Sequence, residues 1–325
     1  MNLLLPLEIP KVNPPIQHPD RILLLGSCFT EHMAGRLEQH GFRMRSNPQG
    51  ILFNPVSTAE ALVNCVEGRR WQEDDLFQLN ELWNSWSHHS RFSHIDKKAA
   101  LLGMNESTGE AHRFLKEASW VIVTLGTSFQ YLLKETGQPV ANNHRGPAAW
   151  FEKKMLSVVE VLEVWRDALK KLFEANAGIK VILTVSPVRH ARDGAIANNR
   201  SKGRLLDAVH SLCEAFPGQV FYFPAYEIVV DVLRDYRFYD SDLIHPNHAA
   251  TQYVWERFVE SSVDEKAQKL MERFAELSIA RGHRPRFPET EAHQAFRKSM
   301  IAKVEALHRD APWADLSEAK GFFME

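Results

Sequence analysis

The stretch RILLLGSCF, residues 21–29, decides the fold, because it joins an apolar run to a small polar turn. Residues 21–25 are short and nearly continuously apolar, which is typical of a strand buried on both faces of a parallel sheet. Gly26 allows a sharp backbone turn at the strand end, and residues 30–40 can follow as a helix. Ser27 would then lie where the amides of the new helix face a ligand.

Three further apolar runs repeat the pattern, at residues 120–125, 179–185 and 219–223. Helical segments fill the gaps between them. Two of these segments begin with a capping box, at residues 57–60 and 157–160, and Gly178 should close the second helix. The alternation predicts right-handed crossovers and an α/β fold, a three-layer α/β/α sandwich around a mostly parallel sheet.

Small polar residues follow the apolar runs, as in the pairs Gly26-Ser27, Gly126-Thr127 and Ser186-Pro187. Ligands of open parallel sheets gather at the carboxyl ends of the strands. We therefore expect these three strand ends to converge on one edge of the sheet and to form the ligand site.

The segment DLIH, residues 242–245, offers chemistry that complements a serine hydroxyl. A serine attacks a carbonyl only when a base takes its proton and an acid holds that base in the correct tautomer. We predict Ser27 as the nucleophile, His245 as the general base and Asp242 as the residue that orients the imidazole. A helix-capping role for Ser27 is one alternative, and a Cys28 thiolate at the helix N-terminus is a rival nucleophile.

Short motifs along residues 20–260 resemble those of the GSCFA family, which is similar to the SGNH/GDSL hydrolases. GSCFT at residues 26–30 differs from the family's usual motif only in Thr30. The other family-like segments are NPQGILFNP (47–55), TLGT (124–127), ANNH (141–144), SPVRH (186–190), YFPAYE (222–227) and LRDYRFY (233–239). The resemblance implies an SGNH-hydrolase/flavodoxin-like sheet, and it aligns Ser27 with the nucleophile and Asp242 and His245 with an Asp-x-x-His block.

The same resemblance implies an oxyanion hole built from the nucleophile's amide, a glycine amide and an asparagine side chain. Ser27 and Gly50 match the first two donors. Gly126-Thr127 stands where Gly-x-Asn is expected, so Thr127 or Asn54 is the candidate third donor. Loss of one such donor typically slows an enzyme about a hundredfold or more.

Three further residues in family-like loops, His144, Arg189 and His190, are candidate substrate contacts. Arg189 suits a carboxylate or phosphate, which it can bind through paired hydrogen bonds, and a buried ion pair is the alternative. Candidate stacking platforms for a sugar are Trp83, Trp86 and Trp150, although tryptophans lie more often in a core.

Composition indicates an ordinary soluble globular protein. The 325 residues are 44% hydrophobic and carry a formal charge of −2 without a basic block, so we expect no nucleic-acid partner. The three separated cysteines fit neither a disulfide framework nor a zinc ribbon, and no His-x-x-x-His pattern with an acidic base occurs. We expect no metal or cofactor. The sequence shows neither a secretion signal nor a membrane-spanning run, which predicts a cytoplasmic protein without a membrane partner.

We predict an α/β domain over residues 1–261 and a helical C-terminal extension over residues 262–325. A polar and aromatic insertion at about residues 66–110 shows little periodicity and is expected to overhang the ligand edge. The predicted function is that of a serine esterase acting on a small O-acyl ester, with an acetylated carbohydrate as the candidate substrate. An O-acyltransferase that uses the same residues and a non-catalytic binding module are the alternatives.

Overall fold

The computed structural model describes residues 5–282 and 285–324 of the chain. The strands are β1 (Arg21–Gly26), β2 (Arg43–Ser46), β3 (Phe77–Leu79), β4 (Leu82–Asn84), β5 (Trp120–Leu125), β6 (Phe129–Leu133), β7 (Pro139–Val140), β8 (Phe151–Met155), β9 (Lys180–Val185) and β10 (Val220–Tyr222). The helices are α1 (Cys28–Gln39), α2 (Pro55–Glu67), α3 (Lys97–Leu115), α4 (Val158–Ala175), α5 (Gly194–Ala215), α6 (Ala225–Glu227), α7 (His248–Ser262), α8 (Glu265–Gly282), α9 (Glu291–Asp310) and α10 (Ser317–Met324).

The central sheet has the order β2-β1-β5-β9-β10, and all of its strand pairs are parallel. Counted in chain order within this sheet, the strands run 2-1-3-4-5, the flavodoxin-like arrangement. The direction of winding reverses between β1 and β5, and in such sheets the crevice at that point, beyond the carboxyl ends, is where ligands bind. Ser27 directly follows β1 and therefore lies at this crevice.

Side chains of the central strands alternate between two cores, one on each face of the sheet. Leu23 and Leu25 belong to the core that α2, α4 and α5 cover. Ile22 and Leu24 belong to the opposite core, which α1 and α7 cover. Because neighbouring side chains in a strand point to opposite faces, a strand buried on both sides must be apolar throughout. The predicted three-layer α/β/α sandwich is confirmed.

The four predicted strands of the sheet are present as β1, β5, β9 and β10, whereas β2 was not predicted. Strand β2, with the sequence RMRS, is an edge strand that pairs only with β1, and its residues alternate between exposed and half-buried. Charged residues protect such edges from pairing with other chains. A polar edge strand of four residues gives no apolar run, which is why the sequence pattern missed it.

The two capping boxes predicted from the sequence have different outcomes. The box at Ser157 is confirmed, since the Ser157 hydroxyl accepts from the Glu160 amide at 3.3 Å and the Glu160 carboxylate accepts from the Ser157 amide at 2.9 Å. Its helix, α4, ends at Ala175, three residues before Gly178.

The other predicted capping box, at Ser57, is wrong, because α2 begins two residues before Ser57, at Pro55. Asn54 is the N-cap of this helix, and its side-chain oxygen accepts from the Ser57 amide at 2.8 Å. Asparagine is a strong N-cap and proline favours the first helical position, so the pair outcompetes a serine further along.

The predicted insertion holds more regular structure than its weak periodicity indicated. It contains the antiparallel hairpin β3-β4 and most of α3, which continues to Leu115. Asp96 caps α3 by accepting from the Ala99 amide at 2.7 Å. Met104 of this helix packs with Trp71 in a small apolar cluster. The insertion is thus a folded element with a core of its own.

The C-terminal helices pack around a separate apolar cluster made by α8, α9 and α10. Helix α8 also reaches the main domain, because Met271 belongs to the core beneath α1 while Phe274 belongs to the C-terminal cluster. The predicted helical nature of residues 262–325 is confirmed over its described part. Within residues 5–282 and 285–324, no helix combines the length and the apolar character needed to cross a bilayer.

Candidate active site

Ser27 lies at the N-cap of α1 but does not cap the helix. Its backbone is extended (φ −73°, ψ 180°), and its side chain makes no capping hydrogen bond. The residue is only 1% exposed, and its Oγ has no hydrogen-bond partner within the described residues. A buried hydroxyl without a partner costs roughly 1–3 kcal/mol, so such groups in native structures call for an explanation. The structure therefore does not support the helix-capping alternative.

Asp242 and His245 form a closely bonded pair on one loop. The Nδ1 atom of His245 lies 2.6 Å from Oδ2 of Asp242, and Oδ1 accepts from the amides of Ile244 at 2.8 Å and His245 at 3.0 Å. The bond from the imidazole, followed by the two amide bonds, lowers the pKa of Asp242 to about 2. An ionised carboxylate on Nδ1 leaves Nε2 of His245 to accept a proton, as a serine hydrolase requires.

The Asp242–His245 loop lies at the carboxyl edge of the central sheet. The amide of Arg189, which follows β9, donates to the Ile244 carbonyl at 3.3 Å. Burial lowers the pKa of His32 on α1, and the charges of Arg36 and His245 lower it further, so α1 is within electrostatic reach of this loop. The structure thus places Ser27 and the Asp242–His245 pair on the same edge of the sheet. It does not join them, since within the described residues Ser27 Oγ bonds to no group.

Cys28, the rival nucleophile, is partly buried beside Ser27. Burial raises the pKa of its thiol, and the amides of Phe29 and Cys28 and the charge of Lys202 offset this effect only in part. The thiolate is the nucleophilic form of cysteine, so a raised pKa disfavours attack by Cys28 at neutral pH.

Each of the four predicted oxyanion donors makes a hydrogen bond inside the protein. The bonds are Ser27 N to Thr124 O (3.2 Å), Gly50 N to Asn47 O (2.7 Å), Asn54 Nδ2 to Ser57 Oγ (3.0 Å) and Thr127 Oγ1 with Ser201 Oγ (3.0 Å). An oxyanion role for these donors stays a prediction that requires some of the bonds to be exchanged. The amides of Cys28 and Phe29 belong to the first turn of α1, where a helix offers no internal acceptor, and they face the Cys28 thiol.

The turn before Ser27 is held by a residue that the sequence analysis did not single out. The side-chain oxygen of Asn47 accepts from the Gly26 amide at 2.8 Å, and its Nδ2 donates to Glu31 at 2.6 Å. The Gly26 carbonyl accepts from the Leu52 amide at 2.9 Å. Gly26 itself has φ +135°, and a Cβ there would lie 2.2 Å from the Thr124 carbonyl oxygen. The family-like segment NPQGILFNP thus clamps the glycine that precedes the serine.

Of the three predicted substrate contacts, Arg189 lies closest to the His–Asp loop. Its guanidinium packs over the rings of Tyr239 and Tyr236, at 4.6 and 5.2 Å from their centroids, and reaches the Leu243 carbonyl at 3.5 Å. No ion pair of Arg189 is found in the described part of the chain, so the buried ion pair proposed as its alternative is not seen.

The other two predicted contacts are engaged within the protein. His190 Nε2 lies 2.9 Å from the carboxylate of Asp193. His144 is buried against the insertion, where its Nε2 lies 2.9 Å from the Ser85 carbonyl oxygen and its ring packs edge-on against Trp86. Burial lowers the pKa of both imidazoles. Their roles in substrate binding stay predictions.

A buried lysine of α5 is a further residue of this edge that the sequence analysis missed. The ammonium of Lys202 donates to the carbonyls of Gly126 and Ser186, each at 2.6 Å. A signal was available, because Lys202 shares a helical face with Asn198, Leu205 and other buried residues of α5. A cation on the inward face of an amphipathic helix is unusual unless it is paired.

A cavity of about 890 Å³ lies apart from this edge, between α2, α4 and the insertion. Glu60, Arg69 and Trp86 are among its lining residues, whereas Ser27 and His245 are not. Across residues 5–282 and 285–324, no group of three or more histidine, cysteine, aspartate or glutamate side chains is placed to hold a metal ion.

Two protein-family models match this chain. The model described as the GSCFA family matches residues 21–258, which is most of the sequence. The chain belongs to the GSCFA family. A second model, for the C-terminal domain of GSCFA domain proteins, matches residues 274–325 and so falls on α8, α9 and α10.

Solved structures similar to this GSCFA protein include two esterases. A carbohydrate esterase of family 3 from Talaromyces cellulolyticus is 9% identical, covers 78% of this chain and 98% of its own, and has a TM-score of 0.36. An acetyl xylan esterase from the rumen bacterium Butyrivibrio proteoclasticus is 12% identical, with 76% of this chain and 64% of its own covered and a TM-score of 0.40. Similarities this distant carry no conclusion about activity. A search of curated proteins found no match.

Proposed function

We propose that this GSCFA protein is a serine esterase that hydrolyses small O-acyl esters. The observation that carries the proposal is the Asp242–His245 pair, bonded at 2.6 Å, on the same sheet edge as a serine hydroxyl that bonds to none of the described residues. A serine, a base and a carboxylate that orients the base form the set that acyl transfer requires. The resemblance of the GSCFA motifs to those of SGNH hydrolases supports the same assignment.

In the proposed reaction, Ser27 Oγ attacks the acyl carbonyl while Nε2 of His245 takes the serine proton. The imidazolium gives that proton to the leaving alcohol, and Asp242 stabilises the charged ring. Water then attacks the acyl-enzyme through the same base and releases the acid. The amides of Cys28 and Phe29 are the donors that we propose for the oxyanion, because helix α1 begins there and its dipole favours negative charge.

The proposal requires the edge to open for a substrate, since Ser27 is 1% exposed. The segment at residues 47–52 is bonded to both sides of Gly26, whereas the side chains of Asp242 and His245 are 44% and 45% exposed. We therefore propose that the His–Asp loop moves and the serine stays fixed. Loop movements of this kind complete many active sites on substrate binding.

An acetylated carbohydrate remains our proposed substrate class. Of the three tryptophans named as stacking platforms, Trp150 is 44% exposed, while Trp86 stacks on Phe77 with 3.6 Å between ring centroids. Only an accessible ring can stack on a sugar, so Trp150 is the better candidate. Hydrolysis of a panel of acetylated sugars, compared between wild type and Trp150→Ala, tests this part separately.

The esterase proposal is tested with p-nitrophenyl acetate and a fluorophosphonate probe on three proteins. Wild type and Cys28→Ala should hydrolyse the ester and be labelled, and Ser27→Ala should do neither. Cys28→Ala is the matched control, because it removes the neighbouring nucleophile from the same helix turn. A wild type that is neither active nor labelled would leave the binding-module alternative in its place. Product analysis with added alcohols distinguishes hydrolysis from acyl transfer.

A further inference from the structure

We propose that Lys202 is a positioning residue of the Ser27 site: its buried ammonium ties together the ends of two central strands and supplies positive charge behind the first turn of α1. The inference rests on the proposed esterase function. It adds a residue that lies outside the family-like motifs of the sequence and outside the serine, histidine and aspartate set.

The position of Lys202 gives it a mechanical role at the edge. Its Nζ lies 2.6 Å from the carbonyl oxygens of Gly126 and Ser186, the residues that directly follow β5 and β9. The last ladder bond between these strands runs from the Ser186 amide to the Leu125 carbonyl at 2.9 Å. The ammonium bonds to the residue that follows each strand and so adds a second link between the two strand ends, next to that ladder bond.

The charge of Lys202 is not neutralised by a carboxylate within the described part of the chain. The side chain is 1% exposed and takes part in none of the ion pairs found there. Burial of an unpaired ammonium opposes folding, and in many proteins an apolar residue would be more stable at such a position. Perturbed charged groups of this kind cluster at functional sites.

Among the described residues, groups on separate elements lie within reach of the Lys202 charge. The ring centroid of Tyr226 on α6 is 6.0 Å from Nζ, and the charge acts on the Cys28 thiol of α1 and on the imidazole of His190 after β9. Because the charge reaches Cys28, it also reaches the amides of the first turn, which we propose as the oxyanion donors. A fixed cation in a site of low polarity stabilises an anionic intermediate more strongly than it would in water.

The pH dependence of the hydrolysis rate distinguishes a charge role of Lys202 from a purely structural one, because a purely structural lysine would not change the pH profile. Burial lowers the pKa of Lys202 to about 7. Burial raises the pKa of Cys28 and of Tyr226 from their ordinary alkaline values, and it lowers the pKa of His190 below its ordinary 6.5. Lys202 is thus the member of the cluster that loses its charge as the pH rises through about 7. The ester-hydrolysis rate should accordingly have a falling limb near pH 7.

The test compares Lys202→Met and Lys202→Arg with wild type, using Lys171→Met as the control at an exposed lysine on α4. We measure kcat and KM for p-nitrophenyl acetate, the fluorophosphonate labelling rate and the pH profile. Lys202→Met should lower kcat and the labelling rate by about a hundredfold, leave KM within about threefold, and abolish the falling limb. Lys202→Arg should restore part of kcat and move the limb out of the neutral range, because arginine stays charged.

Two results would overturn the inference without touching the esterase proposal. One is a folded Lys202→Met protein whose kcat lies within about threefold of that of an active wild type. The other is a Lys202→Met protein whose hydrolysis rate still falls near pH 7 as the wild-type rate does. If Lys202→Met does not fold, Lys202→Arg decides, since arginine stays charged and a falling limb that persists unchanged in that variant contradicts the charge role. A wild type that is inactive and unlabelled overturns both proposals together.

Discussion

Replacing Ser27 by alanine should stabilise the fold while it removes activity. The Ser27 Oγ is buried and has no hydrogen-bond partner in the described part of the chain, so its burial costs roughly 1–3 kcal/mol. Alanine removes that oxygen and keeps the Cβ, at the expense of a few van der Waals contacts of about 0.1–0.2 kcal/mol each. We expect the free energy of unfolding to rise by about 1–2 kcal/mol. Because a change of 1 kcal/mol moves Tm by about 2–4 °C in domains of 150–250 residues, Tm should rise by a few degrees.

Ser201→Ala is the matched control for this measurement. Ser201 is equally buried, at 1% exposure, but its hydroxyl bonds to Thr127 Oγ1 at 3.0 Å and accepts from the Ser128 amide at 2.7 Å. Its removal leaves the Ser128 amide without its acceptor and takes one of two hydrogen bonds from Thr127 Oγ1, which still accepts from the Phe129 amide at 3.2 Å. This should lower the free energy of unfolding by about 1–3 kcal/mol. Urea and thermal unfolding of both variants provide the comparison. If Ser27→Ala is destabilised as Ser201→Ala is, the serine hydroxyl has a partner in solution and the reasoning is refuted.

Three more changes probe the site and its support. Asp242→Asn should lower kcat by about 10³–10⁴-fold with KM nearly unchanged, because the amide no longer fixes the imidazole tautomer; steady-state kinetics decide, and a loss below tenfold would contradict the triad. Asn47→Ala should lower the free energy of unfolding by about 1–3 kcal/mol, since it leaves the Gly26 amide without its 2.8 Å acceptor; an unchanged urea midpoint would argue against the clamp. Ser157→Ala should cost about 1 kcal/mol through loss of the α4 cap without affecting kcat, and a change in kcat would show that α4 influences the site.

The parts of the fold that the sequence predicted are those whose burial leaves a local pattern. Strands β1, β5 and β9 are buried on both faces, so each is an apolar run, and Ser157 with Glu160 marks its own helix start. The edge strand β2 has no such pattern, because half of its residues face solvent. Competition between neighbouring caps, as at Asn54 and Ser57, also depends on backbone geometry that single residues do not reveal.

The sequence predicted which residues form the candidate site, and their catalytic roles stay predictions. Ser27, Asp242 and His245 were identified from chemistry and from family-like motifs, and the structure places them on one edge. Whether the serine hydroxyl meets the imidazole depends on the conformation of an exposed loop, which no local pattern encodes. Lys202 lay outside every motif, since its importance comes from two carbonyls that are 76 and 16 residues away in the sequence.

Helix α8 has a consequence for how the protein loses its structure. Met271 and Phe274 lie three residues apart on this helix. Met271 packs in the core of the main domain, and Phe274 packs in the C-terminal cluster. Phe274 also stacks on His18, whose ring is 4.9 Å away and lies parallel to Phe42. The main domain and the C-terminal cluster therefore share α8, so unfolding of one removes packing surface from the other. Heating should melt the chain in a single cooperative transition rather than in two steps.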